Sequence, residues 1–118
     1  RGQHVSLYKR LLKDTDIVFP FMNVRNNIVS AYHILPILIP QNLNRRQVMM
    51  NLQKLGIQTS IHYPAYWTFS IYKDLFKEKN FPVCSVICDR EITLPLYPTM
   101  EKTDIILVCE KLRQAIYE

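Results

Sequence analysis

The chain has 118 residues, the length of one ordinary domain. It is 48% apolar and 21% charged with only two glycines, which excludes a disordered tail and a flexible linker. Its net charge of +5 comes from scattered basic residues, adjacent only in the pairs Lys9-Arg10 and Arg45-Arg46. That pattern reads as solvating charge and not as a nucleic-acid footprint.

The longest apolar run, Ile34 to Ile39, contains Pro36 and is far too short to span a membrane. The chain opens Arg1-Gly2-Gln3-His4, with neither an initiator Met nor a signal-peptide pattern. A helical pattern begins almost at once, so the expectation is a fragment whose natural start lies upstream.

In chain order, Val5, Tyr8, Leu11 and Leu12 recur at helical spacing and predict a helix over Gln3 to Lys13. Ile17 to Met22 reads as an extended loop or edge strand, with Pro20 inside it. Ser30 to Pro40 reads as a strand covered on both faces, with Pro36 marking an edge or a bulge. Asn44 caps a predicted helix to Leu55. Gln47 holds the capping-box position, Val48, Met49, Leu52 and Leu55 line one face, and Gly56 stops it.

Ile57 to His62 reads as a second strand. A long aromatic loop follows from Tyr63 to Tyr72, with a short helix expected near Ser70 to Lys77. Pro82 opens a helix running to about Glu91, with Val83, Val86 and Ile87 as its apolar side. Ile92 to Leu96 is a third strand. Thr99 is the expected cap of a last helix whose buried stripe is Ile105, Val108, Cys109, Leu112 and Ile116. The fold class is therefore α/β (α+β): a short sheet of about three strands packed by about four helices.

Cys84, Cys88 and Cys109 make an odd count, which points to reduced thiols in a cytoplasmic protein. Cys84 and Cys88 share a helix face, and a zinc set with His62 and Cys109 can be imagined. The spacing fits no standard zinc pattern, so no metal is expected. There is no Gly-rich phosphate loop, no Gly-x-Ser-x-Gly, no Cys-x-x-Cys and no His-Glu-x-x-His.

Thr59 to Trp67 is the densest stretch with functional character. It lies where a strand gives way to a loop, the usual place for sites in α/β proteins. His and Tyr can hydrogen-bond phosphate or sugar hydroxyls, and Tyr and Trp offer flat faces to rings. The competing reading is a packed aromatic loop that holds a small core together. His33, inside the first strand, reads as a core histidine, and His4 as a solvated one.

The ordered motifs resemble the DegT/DnrJ/StrS family of sugar aminotransferases. Ser30 to Ile37 resembles the first strand of its small domain. Leu55 to Pro64, with Gly56-Ile57, Thr59 and His62-Tyr63, resembles its Gly-Ile-x-Thr-x-x-His-Tyr segment. Phe81 to Cys84 and Leu94 to Pro98 resemble its later helix start and its Leu-Pro-Leu-x-Pro segment. One departure is that Tyr66-Trp67 stand where the family often has a second His.

This resemblance implies the small C-terminal domain of the aspartate-aminotransferase-like fold (fold type I). It covers residues 1–118, with residues 1–14 ending the interdomain helix. It implies a homodimeric, pyridoxal 5'-phosphate-dependent enzyme that moves an amino group from glutamate to a keto sugar on a nucleotide. Its Schiff-base lysine and cofactor groups would lie in the large N-terminal domain. Cofactor and catalytic residues are thus not expected in this chain, and the fragment is expected to be inactive alone. The resemblance makes His62 and Tyr63 substrate-binding candidates, with His33 as a further one. The alternative is a non-catalytic module that binds a nucleotide or sugar, or that completes a dimer.

Overall fold

The computed structural model describes residues 1–21, 28–77 and 80–118. The elements are α1 (Gly2–Leu11), β1 (Leu35–Leu38), α2 (Arg45–Lys54), α3 (Pro82–Arg90), β2 (Glu91–Leu94) and α4 (Lys102–Tyr117). A 3-10 turn, Tyr66–Thr68, lies between α2 and α3. β1 and β2 pair antiparallel, from Leu35 opposite Leu94 to Leu38 opposite Glu91. Single bridges extend this ladder on both sides, Val18 to Leu38 and Ser60 to Thr93. Each strand residue but Pro36 is buried; β1 is apolar throughout, whereas β2 also buries Glu91 and Thr93.

The helices form where the apolar spacing is helical. α1 buries Val5 and Tyr8, and Leu12 just beyond it. α4 buries the whole expected stripe and Ala115 as well. α4 packs on α1 and α2, and α2 leans on β2. Ile37, Leu52, Ile92, Ile105 and Leu112 are fully enclosed at the centre. Arginines bind the layers by serving carbonyls that helix and strand ends leave unpaired, Arg45 among them at Cys88 O. Arg113 donates to Leu11 O and Arg90 to Ile39 O, each at 2.6 Å.

α2 starts and ends as its sequence dictates. The Asn44 side chain accepts from Gln47 N at 3.1 Å. The Gln47 amide turns instead to Asn51 Oδ1, so the capping box is only half made. At the other end Gly56 takes φ 82°, where a Cβ would be strained. Gly56 N then reaches Gln53 O and Ile57 N reaches Leu52 O, a Schellman closure that buries Ile57 beside Leu52.

Several expectations are corrected. The first strand spans only Leu35–Leu38, because Tyr32 stands at φ 48° and its N–H turns back to Ser30 Oγ. His33 therefore precedes the strand and is exposed, not a core histidine. Pro36 does mark an edge. Leu38 bonds Val18 while Ile39 bonds Arg90, so by alternation the missing Pro36 N–H faces the Val18 side. That pairing stops after one bridge. Of the Ile17 to Met22 segment, Met22 lies outside the described residues.

Ile57 to His62 is not a strand but the single bridge at Ser60. Ser70 to Lys77 forms turns, not a helix, with Leu75 N and Phe76 N both bonded to Tyr72 O. α4 is capped by Glu101, not Thr99. Glu101 N bonds Asp104 Oδ2 at 2.8 Å in a reciprocal capping box, and Met100 plugs the core just before it. His4 is half-buried rather than solvated, and its Nδ1 is enclosed without a partner.

Candidate functional site

Residues 56–62 run along the free side of β2. Ser60 N and O both pair with Thr93, at 3.2 and 2.9 Å. A regular antiparallel ladder would next join His62 to Glu91 backbone to backbone. The Glu91 side chain takes that rung: its Oε2 accepts the His62 N–H at 3.0 Å. Pro64, two residues on, has no N–H to continue the ladder. The chain leaves the sheet here, and the His62–Tyr63 peptide bond is cis.

Glu91 and Thr93 point to the same face of β2, as residues two apart must. Both are buried, at 5% and 6% exposure. The Thr93 hydroxyl donates to Glu91 Oε1 at 2.5 Å. His62 Nδ1 lies 2.9 Å from Thr93 Oγ1 and 3.5 Å from Ser60 Oγ. A buried carboxylate thus carries a chain of neutral donors that ends at a half-buried imidazole. Tyr63 stands beside it, ring edge to ring face at 5.1 Å, and is 74% exposed. The two leading sequence candidates are neighbours at the surface, and one of them is anchored.

Two open grooves flank residues 56–61. One, of about 530 Å³, brings His33 together with Ser60, Thr93, Tyr97 and Asp104. The other, of about 670 Å³, runs between the same segment and Arg45, Arg46 and Met49 of α2. His33 therefore shares a groove with the far side of the Ser60–Thr93 bridge. Neither groove lining contains a lysine.

Glu91 and Thr93 are functional candidates that the sequence reading missed. Their signal was Glu-Ile-Thr-Leu, with polar residues at period two inside a strand otherwise read as apolar. The aromatic loop, by contrast, packs on itself. Tyr66 meets Tyr72, Phe76 and Phe81 edge to face, and Trp67 stacks on Phe81 at 5.9 Å. Desolvation, with Cys84 close by, raises the Tyr66 phenol above its ordinary range.

Cys84 and Cys88 do share a face of α3, their sulfurs 3.8 Å apart. Burial and the hydrogen bond to Cys84 push the Cys88 thiol up to about 11. Cys109 is buried within the core cluster, where burial lifts its thiol to about 12. Among the described residues no three His, Cys, Asp or Glu side chains gather as a metal site. No helix among them is long and apolar enough to cross a membrane.

The DegT/DnrJ/EryC1/StrS aminotransferase family matches residues 1–113. The chain belongs to this family. An uncharacterized protein of Methanocaldococcus jannaschii is 30% identical over 100 residues, which are 80% of this chain and 26% of that protein. The dTDP-4-dehydro-2,3,6-trideoxy-D-glucose 4-aminotransferase of Saccharopolyspora spinosa is 25% identical over 116 residues, 98% of this chain and 29% of the enzyme.

Among solved structures, PseC of Helicobacter pylori, an aminotransferase involved in the biosynthesis of pseudoaminic acid, superposes with a TM-score of 0.85. It is 20% identical, over 98% of this chain and 31% of PseC. A protein described as a sugar aminotransferase from Streptococcus pneumoniae, in its PLP form, gives a TM-score of 0.86 at 22% identity, over 97% of this chain and 30% of that one. At such identity the structures establish the shared fold. This chain of the DegT/DnrJ/EryC1/StrS family spans under a third of the length of the relatives it matches.

Proposed function

We propose that residues 1–118 are the C-terminal small domain of a pyridoxal 5'-phosphate-dependent nucleotide-sugar aminotransferase. In this reading residues 1–14 end the helix that joins it to a large N-terminal domain. The complete enzyme is a cytoplasmic homodimer. It transfers the amino group of glutamate to a keto-sugar nucleotide, in the making of polysaccharide or antibiotic sugars. The observation that carries this reading is the His62–Tyr63 pair. Tyr63 is 74% exposed, and His62 beside it is held from behind by buried Glu91 and Thr93. A fixed imidazole and an open phenol are groups suited to hydroxyl-rich ligands.

When bound, the cofactor supplies the electron sink for amino transfer. It must be met by a lysine amine, and neither groove beside residues 56–61 offers one. The residues lining these two grooves therefore do not fit the cofactor by themselves. We assign the Schiff-base lysine to protein outside this chain, and the fragment alone is inactive. His62 and Tyr63, with His33 across the neighbouring groove, would bind and orient the sugar nucleotide. The bare apolar side of α3, led by Val83 at 72% exposure, suits a contact buried in the complete dimer. The free thiols of Cys84 and Cys88 suit a reducing cytoplasm.

Steady-state kinetics of the full-length enzyme, with glutamate and a keto-sugar nucleotide, test the reading. Tyr63→Phe removes one hydroxyl and is expected to weaken sugar-nucleotide use by about 0.5–1.5 kcal/mol. Unchanged kcat/KM takes Tyr63 out of the site.

A further inference from the structure

His62 has two ring nitrogens, and its neighbours decide which of them carries the proton. Thr93 has a single hydroxyl hydrogen, and it goes to Glu91 Oε1, because a carboxylate oxygen accepts. The Thr93 oxygen is then the acceptor for His62 Nδ1, 2.9 Å away. Nδ1 must therefore be the protonated nitrogen. Nε2 makes no hydrogen bond among the described residues and is not enclosed. In the neutral ring it is a bare lone pair that can only accept.

The same carboxylate holds the backbone of His62 through Oε2. Glu91 therefore fixes both the peptide and, through Thr93, the ring. Glu91 and Thr93 are nearly sealed from water, so solvent does not compete for their bonds.

We propose that Glu91 and Thr93 are positioning residues that lock His62 as its Nδ1–H tautomer, so that Nε2 receives a hydroxyl of the bound sugar instead of donating to the phosphates. The recognition half of this statement rests on the proposed sugar site. The tautomer half needs no ligand at all. An anion at this position would meet a lone pair and be repelled. A hydroxyl would find an acceptor with a set direction.

The two halves are tested separately. In the 118-residue chain labelled with 15N-histidine, long-range proton–nitrogen spectra at pH 8 distinguish the two nitrogens. The His62 signals are assigned by their loss in His62→Gln. The expected spectrum shows a protonated Nδ1 and a bare Nε2, the reverse of the preference of free histidine. Thr93→Val keeps the β-branched shape and removes the hydroxyl, and it is expected to return His62 toward the free-histidine pattern. Thr93→Ser should keep the lock. Circular dichroism establishes that the variants are folded.

A protonated Nε2 in the unsubstituted chain, or an unchanged tautomer in Thr93→Val, overturns the lock. In the full-length enzyme, Thr93→Val is expected to raise the KM for the sugar nucleotide roughly two- to tenfold with kcat little changed, and Thr93→Ser to restore it. A locked tautomer together with unchanged KM in both His62→Gln and Thr93→Val overturns the hydroxyl-recognition half, and with it the placing of His62 in the sugar site.

Discussion

The two halves of this small protein satisfy their apolar groups in opposite ways. α1, β1, β2, α2 and α4 face inward, and their side chains close one core around Ile37, Ile92 and Leu112. The stretch from Tyr63 through α3 packs sideways on itself. Its rings meet edge to face, yet α3 buries no residue at all, and Ile71, Leu75 and Val83 are largely exposed. The first half has the organisation of a domain that can stand by itself. The second has the organisation of a surface awaiting cover. His62 and Tyr63 sit where the chain passes from one half to the other, with His62 anchored to the core by Glu91.

The sharpest way to break this contrast is to hollow the core. Leu112→Ala removes a fully buried side chain and is expected to cost about 2–5 kcal/mol in urea unfolding. A cost below about 1 kcal/mol shows that α4 is not the centre of the fold.

Alkali attacks the same core chemically. Burial holds the Tyr8 phenol above its ordinary range and the Cys109 thiol up to about 12. The unfolded chain therefore loses these protons first, at about pH 8.5 for Cys and 10 for Tyr. Stability is fully present below the unfolded values and is lost as pH rises through the folded ones. Unfolding midpoints should fall steadily between about pH 9 and 12. A flat profile there means that Cys109 and Tyr8 are reached by water in the folded state.

The aromatic half should yield less. Phe81→Ala takes away a stacked partner of Trp67 and an edge partner of Tyr66 and Phe76. Aromatic pairs are worth about 0.5–1.5 kcal/mol each beyond their area, and Phe81 is only half-buried. A loss of roughly 1–2 kcal/mol, with tryptophan fluorescence shifting before global unfolding, is the expected result. Loss of the whole fold would erase the distinction between the two halves.

The sequence was legible where local rules and tertiary packing agree. The α2 cap, its Gly56 stop and the α4 stripe follow from spacing and capping chemistry alone, and each stands where those rules put it. The strands were harder. Tyr32 in a left-handed turn cuts the first short, and only a side-chain bond to Ser30 reveals why. The segment after Gly56 has the composition of a strand, but Glu91 intercepts its next rung. The site was half legible for the same reason. His62 and Tyr63 stand out in the sequence, whereas Glu91 becomes visible only when the Ser60–Thr93 bridge brings it under His62. The apolar side of α3 was readable as a pattern. Its exposure was not, because a stripe of Val83, Val86 and Ile87 does not state which surface covers it.

That stripe supports the prediction with the smallest effect on folding. Val83 is exposed, so Val83→Lys should change the unfolding free energy of the 118-residue chain by less than about 0.5 kcal/mol. Its effect should appear in association instead. The chain with a bare α3 is expected to self-associate as concentration rises in sedimentation velocity, and the lysine variant to remain monomeric. Ile87→Lys, one helical turn further on, should act in the same direction. If the substitutions leave association unchanged while the chain oligomerises, the contact lies elsewhere. If Val83→Lys unfolds the chain, α3 belongs to the core after all, because a solvated lysine on a truly open helix face has nothing to disrupt.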